Sequence, residues 1–145
     1  MFERKIHTEI VIDASPEKIW ACLADLSSWS EWNKVVLGVK LKGPLQEGTR
    51  GQLSIRLPAG KAKLSVTLVT VRENEELAWQ GGMSGLVTGC HGFKLEPTEG
   101  GTRLVHTEVF RGLLVPPLIG PVRKGMDKSY QKLNEGLKRH VESGN

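Results

Sequence analysis

Residues 5–33 read KIHTEIVIDASPEKIWACLADLSSWSEWN, and the change of period inside them decides the fold. From Lys5 to Asp13 the pattern alternates. Ile6, Thr8, Ile10 and Ile12 share one face, and His7, Glu9, Val11 and Asp13 the other, as in a half-buried strand. Ser15 can then cap orphan N–H groups, and Pro16 suits a first helical position, where its missing N–H costs nothing. Ile19, Cys22, Leu23 and Leu26 follow as the apolar stripe of a helix. DLSSWSEWN (25–33) breaks that period, and Ser27 or Ser28 is read as the cap of a second short helix carrying Trp29 and Trp32.

After Asn33 the period becomes two. VVLGVKLKG, GTRGQLSIRLP, KAKLSVTLVTVR, LAWQGG, GLVTGCHGFKLEP and TRLVHTEVFRG read as strands, with turns at Gly43-Pro44, Ala59-Gly60, ENEE and Gly100-Gly101. Such short loops imply hairpins and an antiparallel meander. GLLVPPLIGPVRKGM (112–126) leads into a helix, with Pro121 in its first turn. Val122, Met126, Tyr130, Leu133, Leu137 and Val141 recur at three or four, an amphipathic stripe on a helix of roughly 20 residues, or about 30 Å. One apolar stripe needs one apolar face to cover. The expected class is α+β: a curved antiparallel sheet of six to seven strands wrapped around a long C-terminal helix, with two short helices after the first strand. A twisted sheet can curl around such a helix and leave an internal cavity.

Composition agrees with a soluble globular protein. The chain has 145 residues, 39% hydrophobic and 25% charged, and residues 1–145 are read as one domain. No apolar run approaches the roughly 20 residues of a bilayer span, so no stable membrane insertion is expected. MFERKIHTEI lacks the apolar core of a secretory signal. Cys22 and Cys90 lie far apart and fit no metal spacing. They are read as reduced thiols of a cytoplasmic protein, with a disulfide as the alternative. The net charge of +4 is mild, and the positives in VRKGMDKSYQKLNEGLKRH (122–140) suit the wet face of a helix, so no nucleic-acid partner is indicated. No cofactor is expected, and the oligomeric state stays open between monomer and homodimer.

The most informative polar stretch is TRLVHTEVFR (102–111). Leu104, His106, Glu108 and Phe110 share one face; Arg103, Val105, Thr107, Val109 and Arg111 share the other. The first is assigned inward, because it holds Phe110 and Leu104 while the second is flanked by arginines. A buried Glu108 then needs a partner, a trapped water or a ligand. His91 shares its face with Phe93 and Leu95 and is also read as inward. Two histidines and a carboxylate suit a site for a ligand hydroxyl or carbonyl. They also suit a general acid and base for an aldol cyclisation or dehydration. For each histidine alone, a satisfied core or rim residue is the plainer alternative. A zinc site of His91, His106 and Glu108 lacks any spacing signature, and no metal is expected. Trp20 is read as core, Trp29 as partly exposed, and Trp79 as inward beside Leu77. Trp32 stands between core and ligand wall. Met126 and Tyr130 lie on the inner stripe of the long helix, and Arg56 is placed outside.

GGMSGLVTGCHG (81–92) lacks the Lys-Ser/Thr of a phosphate loop and the strand-to-helix context of a dinucleotide site. GGMSG has no strand-turn-helix setting, which argues against a serine hydrolase. These glycines are read as bulges or bends of a curled sheet.

IDASPEKIWACLAD (12–25), Trp32, LAWQGG, HGFKLEP, GGTRLVHTEVFRG and LNEGLKRHVE, in this order, resemble the START-like (SRPBCC) superfamily, also called helix-grip or Bet v 1-like. Within it the chain looks most like the polyketide cyclase/dehydrase and lipid-transport group, over nearly its whole length. One departure is Lys34, where the family often has proline soon after the Trp-Asn pair. The resemblance implies binding of apolar small molecules such as lipids, sterols, polyketides or hormones; a minority of members are cyclases or other enzymes. The expected function is therefore to bind a hydrophobic or amphipathic small molecule between sheet and C-terminal helix. Trp32, Trp79, His91, Phe93, His106, Glu108, Phe110, Met126 and Tyr130 are the candidate contacts. Two alternatives follow from the same resemblance. One is a polyketide cyclase/dehydratase-type enzyme using His106, Glu108 and His91. The other is a START-like interaction or chaperone-activator module that docks through LLVPPLIGP (113–121), with Leu114 and Leu118.

Overall fold

Seven strands form one antiparallel sheet in the order β1-β7-β6-β5-β4-β3-β2. The structure is a computed structural model and describes residues 2–57 and 60–144. The strands are β1 (Phe2–Ile12), β2 (Val36–Leu41), β3 (Arg50–Leu57), β4 (Gly60–Arg72), β5 (Glu76–Met83), β6 (Val87–Thr98) and β7 (Gly101–Gly112). Helix α1 (Pro16–Ala24) and a 3-10 turn (Leu26–Glu31) follow β1. Helix α2 (Val115–Ile119), a 3-10 turn (Gly120–Val122) and helix α3 (Arg123–Glu142) close the chain. This is the expected α+β helix-grip fold. Of the turn read at Ala59-Gly60, Ala59 lies outside the described residues. No helix among the described residues is long and apolar enough to cross a membrane.

Local chemistry explains the elements. Lys18 N donates to Ser15 Oγ at 3.3 Å, with Pro16 opening α1. Ile19, Trp20 and Leu23 are its buried residues, while Cys22 is only half-buried. Lys138 Nζ donates to the Val11 carbonyl at 2.9 Å, and Asp13 N donates to Glu142 Oε2 at 2.8 Å. These bonds tie the end of α3 to the end of β1. On α3, Tyr130, Leu133, Asn134, Gly136, Leu137 and Val141 are buried.

Three expectations are corrected here. Trp29 is fully buried, at 0% exposure, rather than partly exposed. The reason is pitch: a 3-10 turn has about three residues per turn, so Leu26 and Trp29 eclipse on one inward face. Trp29 Nε1 donates to the Leu23 carbonyl at 3.0 Å, and its ring centroid lies 4.9 Å from Trp32, 5.5 Å from Trp79 and 5.2 Å from Phe93. Neither Ser27 nor Ser28 is a cap. Asp25 occupies the cap position, and Ser28 Oγ donates back to its carbonyl at 2.9 Å. Val122 precedes α3 and is exposed, and Pro121 sits in the 3-10 turn before the helix.

After the tryptophans the chain is shaped by Asn33. Its Nδ2 donates to the carbonyls of Trp29 (2.8 Å) and Val36 (2.9 Å), and its Oδ1 accepts from the backbone N–H of Val35 (2.9 Å) and Val36 (2.8 Å). This buried amide is fully satisfied. Lys34, which stands where the family often has proline, is exposed.

Candidate functional site

Register brings the polar residues together. Between β6 and β7, His91 stands opposite Glu108 and Phe93 opposite His106. His106 is thus the diagonal neighbour of His91 on the inner face. Strand β5 sets Trp79 opposite His91, and β1 sets Thr8 opposite His106. Helix α3 crosses this face and presents Tyr130 and Asn134, one turn apart on its buried side.

Thr8, Asn134, His106 and His91 form one buried hydrogen-bond chain. Thr8 Oγ1 donates to the His106 carbonyl at 3.1 Å, and Asn134 Nδ2 donates to Thr8 Oγ1 at 2.8 Å. His106 Nδ1 lies 2.7 Å from Asn134 Oδ1, and His106 Nε2 lies 2.5 Å from His91 Nε2. The protons follow from the partners. Thr8 spends its one proton on the carbonyl, so it accepts from the Asn134 amide. Asn134 Oδ1 can only accept, so His106 carries its proton on Nδ1 and offers Nε2 as an acceptor. His91 then donates from Nε2 and keeps a bare lone pair on Nδ1. One proton per ring means two neutral imidazoles. Burial agrees, since it pushes His91 down to about 3. Burial also holds His106 well below its ordinary value, with His91 adding to the effect and the Asn134 bond opposing it.

Glu108 completes the group. The Tyr130 hydroxyl donates to Glu108 Oε1. His91 Nδ1 lies 3.7 Å from the same oxygen, too far for a hydrogen bond. Burial pushes Glu108 up to about 7 against the opposing effect of the Tyr130 bond. Burial, followed by the neighbouring Glu108 charge, raises Tyr130 beyond its ordinary range. Space for the carboxyl comes from Gly89, where a Cβ would lie 2.7 Å from Glu108 Oε2.

These groups meet a cavity of about 540 Å³ between the sheet and the first half of α3. His91, Glu108 and Tyr130 line its polar end. Val36, Leu53, Ile55, Phe110 and Met126 line its walls, and Arg56, Leu64 and Val122 stand at the exposed mouth. Of the sequence candidates, His91, Glu108, Phe110, Met126 and Tyr130 therefore border the cavity. His106 lies behind His91, stacked between Phe93 at 4.3 Å and Tyr130 at 4.7 Å. Trp79 and Phe93 are packed beside Trp29 and do not line it. Trp32 borders a separate surface groove of about 680 Å³ with Lys34, Lys132, Glu135 and Arg139. Its Nε1–H is buried with no partner among the described residues. In LLVPPLIGP, Leu113, Leu114 and Leu118 are exposed.

Sequence reasoning missed Asn134 and Thr8. A lone amide inside the apolar stripe of α3, one turn after Tyr130, was the available signal. The β2–β4 wall residues carried no signal beyond strand alternation.

The model of the family described as "Polyketide cyclase / dehydrase and lipid transport" matches residues 3–142. No curated protein matches the chain. Among solved structures, TTHA0849 from Thermus thermophilus superposes with a TM-score of 0.78 at 19% identity, covering 98% of this chain and 99% of that one. Ara h 8.0201 gives 0.77 at 13% identity, covering 99% of this chain and 100% of that one. The di-domain ARO/CYC StfQ from the steffimycin biosynthetic pathway gives 0.77 at 12% identity, over 97% of this chain and 51% of that two-domain chain. At such identities these likenesses speak for fold alone. The family match, over the same residues that build the sheet and α3, is decisive: the chain belongs to the polyketide cyclase/dehydrase and lipid transport family of the START-like superfamily.

Proposed function

We propose that the chain binds an apolar or amphipathic small molecule between the sheet and α3. The observation that carries this reading is the cavity of about 540 Å³, with mostly apolar walls and with His91, Glu108 and Tyr130 gathered at one end. Its size and lining fall in the range of small-molecule sites, where apolar walls supply affinity and a few polar groups fix orientation. An interaction module without a pocket is the reading this cavity weighs against, although Leu114 and Leu118 are exposed. Native mass spectrometry of the purified chain tests the proposal. A small molecule retained on the folded chain, and bound more weakly when Met126→Trp narrows the cavity, is the expected result. No retained molecule, and no thermal shift with a panel of apolar compounds, would overturn it.

A second reading is supported by the same polar end: an acid–base enzyme of the cyclase or dehydratase type. Glu108 and His91 both border the cavity, and a carboxyl pushed up to about 7 can exchange a proton near neutral pH. His106, behind His91, would act by fixing its neighbour's tautomer. Turnover of a cyclisable poly-β-keto substrate that survives both Glu108→Gln and His91→Phe would remove this reading.

A further inference from the structure

The hydrogen-bond chain behind the cavity has a direction, and that direction selects among ligands. It starts at the Thr8 hydroxyl and runs through Asn134 and His106 to His91, each link within 3.1 Å. Every proton in it is used before the cavity is reached. His91 therefore meets the cavity with an acceptor, Nδ1, and no described residue donates to that atom within hydrogen-bond distance. The Tyr130 proton is likewise spent on Glu108 Oε1. Among the described residues no Lys or Arg stands at this end, and Arg56 is at the mouth. Apart from the acid form of Glu108 and the hydroxyl of Ser129 in the lining, this end offers acceptors rather than donors.

We infer that it takes the hydroxyl of an uncharged, hydroxyl-bearing apolar molecule, a phenol or alcohol, which donates to His91 Nδ1 beside the Glu108 carboxyl. The inference rests on the cavity being a ligand site. The 3.7 Å between His91 Nδ1 and Glu108 Oε1 leaves room for one oxygen within hydrogen-bond reach of both. Such an oxygen donates to the imidazole and keeps its lone pairs for the acid form of Glu108. An ether or ketone can accept from the acid form of Glu108 but offers no proton to His91 Nδ1. An ionised carboxylate has no proton for His91 Nδ1, and it would leave water for an end where no described Lys or Arg stands. Sites built around a ligand O–H discriminate strongly against analogues that lack it.

The test is a matched series of 2-naphthol, 2-methoxynaphthalene and 2-naphthoate, titrated calorimetrically into the full chain at about pH 6, where the naphthol is neutral. The expected result is 2-naphthol binding about tenfold or more tightly than either analogue. His91→Phe should bring the naphthol and its methyl ether to equal affinity. Equal affinities with the unaltered chain, or a tighter naphthoate, would overturn the inference and leave the cavity reading standing. A naphthol preference that persists in His91→Phe would also overturn it. Failure of all three compounds to bind would overturn both. The series with the unaltered chain decides the matter even where the variant does not fold.

Discussion

His91 donates its Nε2–H to His106 Nε2 across 2.5 Å, in rings tilted only 7° from parallel. Their centroids are 4.7 Å apart, which is the N···N gap plus half a ring on each side. The rings therefore meet edge to edge, as an N–H···N bond requires, rather than face to face. Two neutral imidazoles share such a bond only when their tautomers are complementary, one donating and the other accepting.

The first prediction concerns those tautomers. Long-range ¹⁵N–¹H correlation spectra should show His106 protonated at Nδ1 and His91 at Nε2. Neither should titrate near pH 6.5 while the chain stays folded. Each ring is held neutral by burial and gains a proton on unfolding below its ordinary pKa. Together they lower stability as the pH falls below about 6.5. A folded-state titration of either ring near pH 6 would contradict the assignment.

Glu108 works in the opposite direction. Its folded pKa is raised from 4.5 to about 7, so the folded state holds this proton more tightly. Its contribution is full below about pH 4.5 and is lost as the pH rises through about 7, a change of about 3 kcal/mol. Between about pH 4.5 and 6.5, unfolding takes up about two protons at the histidines and releases about one from Glu108. Glu108→Gln should therefore steepen the acid-side slope of unfolding free energy by about 1.4 kcal/mol per pH unit. It should also flatten the decline between pH 6 and 8. Urea titrations at stepped pH measure both.

Asn134→Ala should destabilise the chain by roughly 3 kcal/mol. It leaves His106 Nδ1–H without its acceptor and removes the donor to Thr8, both at fully buried positions. The nitrogen spectra should then show a mixed His106 tautomer. A retained single tautomer would mean the helix does not set the chain's direction.

Gly136→Ala tests the seat of α3 under the tryptophan turn. Alanine favours a helix interior by about 1 kcal/mol over glycine. Here its Cβ would lie 2.1 Å from the Trp32 carbonyl oxygen. That backbone cannot yield freely, because Asn33 clamps the residues on either side of the turn's exit. The net result should be a loss of at least about 2 kcal/mol, read from the urea midpoint.

How far the sequence disclosed this site depended on the range of the interaction. The inward facing of Leu104, His106, Glu108 and Phe110 was legible, because strand alternation is local and Phe110 and Leu104 set the phase. The pocket-side placing of His91, Met126 and Tyr130 followed from the same local periods. Trp29 turns inward because the second short helix expected there is a 3-10 turn, whose tighter pitch sets Trp29 over Leu26. The His91–His106–Asn134 chain was not legible, since its partners lie on two strands and a helix that only register brings together. Whether Trp79 and Phe93 wall a hollow or fill a core depends on the volume left after packing, which no short pattern encodes. Both fill the core beside Trp29.

The sheet order has a consequence for synthesis. Strand β1 pairs along its length with β7, Phe2 opposite Gly112 and Ile12 opposite Thr102. As the chain leaves the ribosome, β1 must wait for about a hundred later residues before its partner strand exists. At roughly 5–20 residues per second that is many seconds with Ile6, Ile10 and Ile12 on an open edge. Tyr130 and Asn134 arrive later still, on α3. The nascent chain thus meets the cell with a strand that carries Ile6, Ile10 and Ile12 still unpartnered, and a holdase has its longest opportunity there.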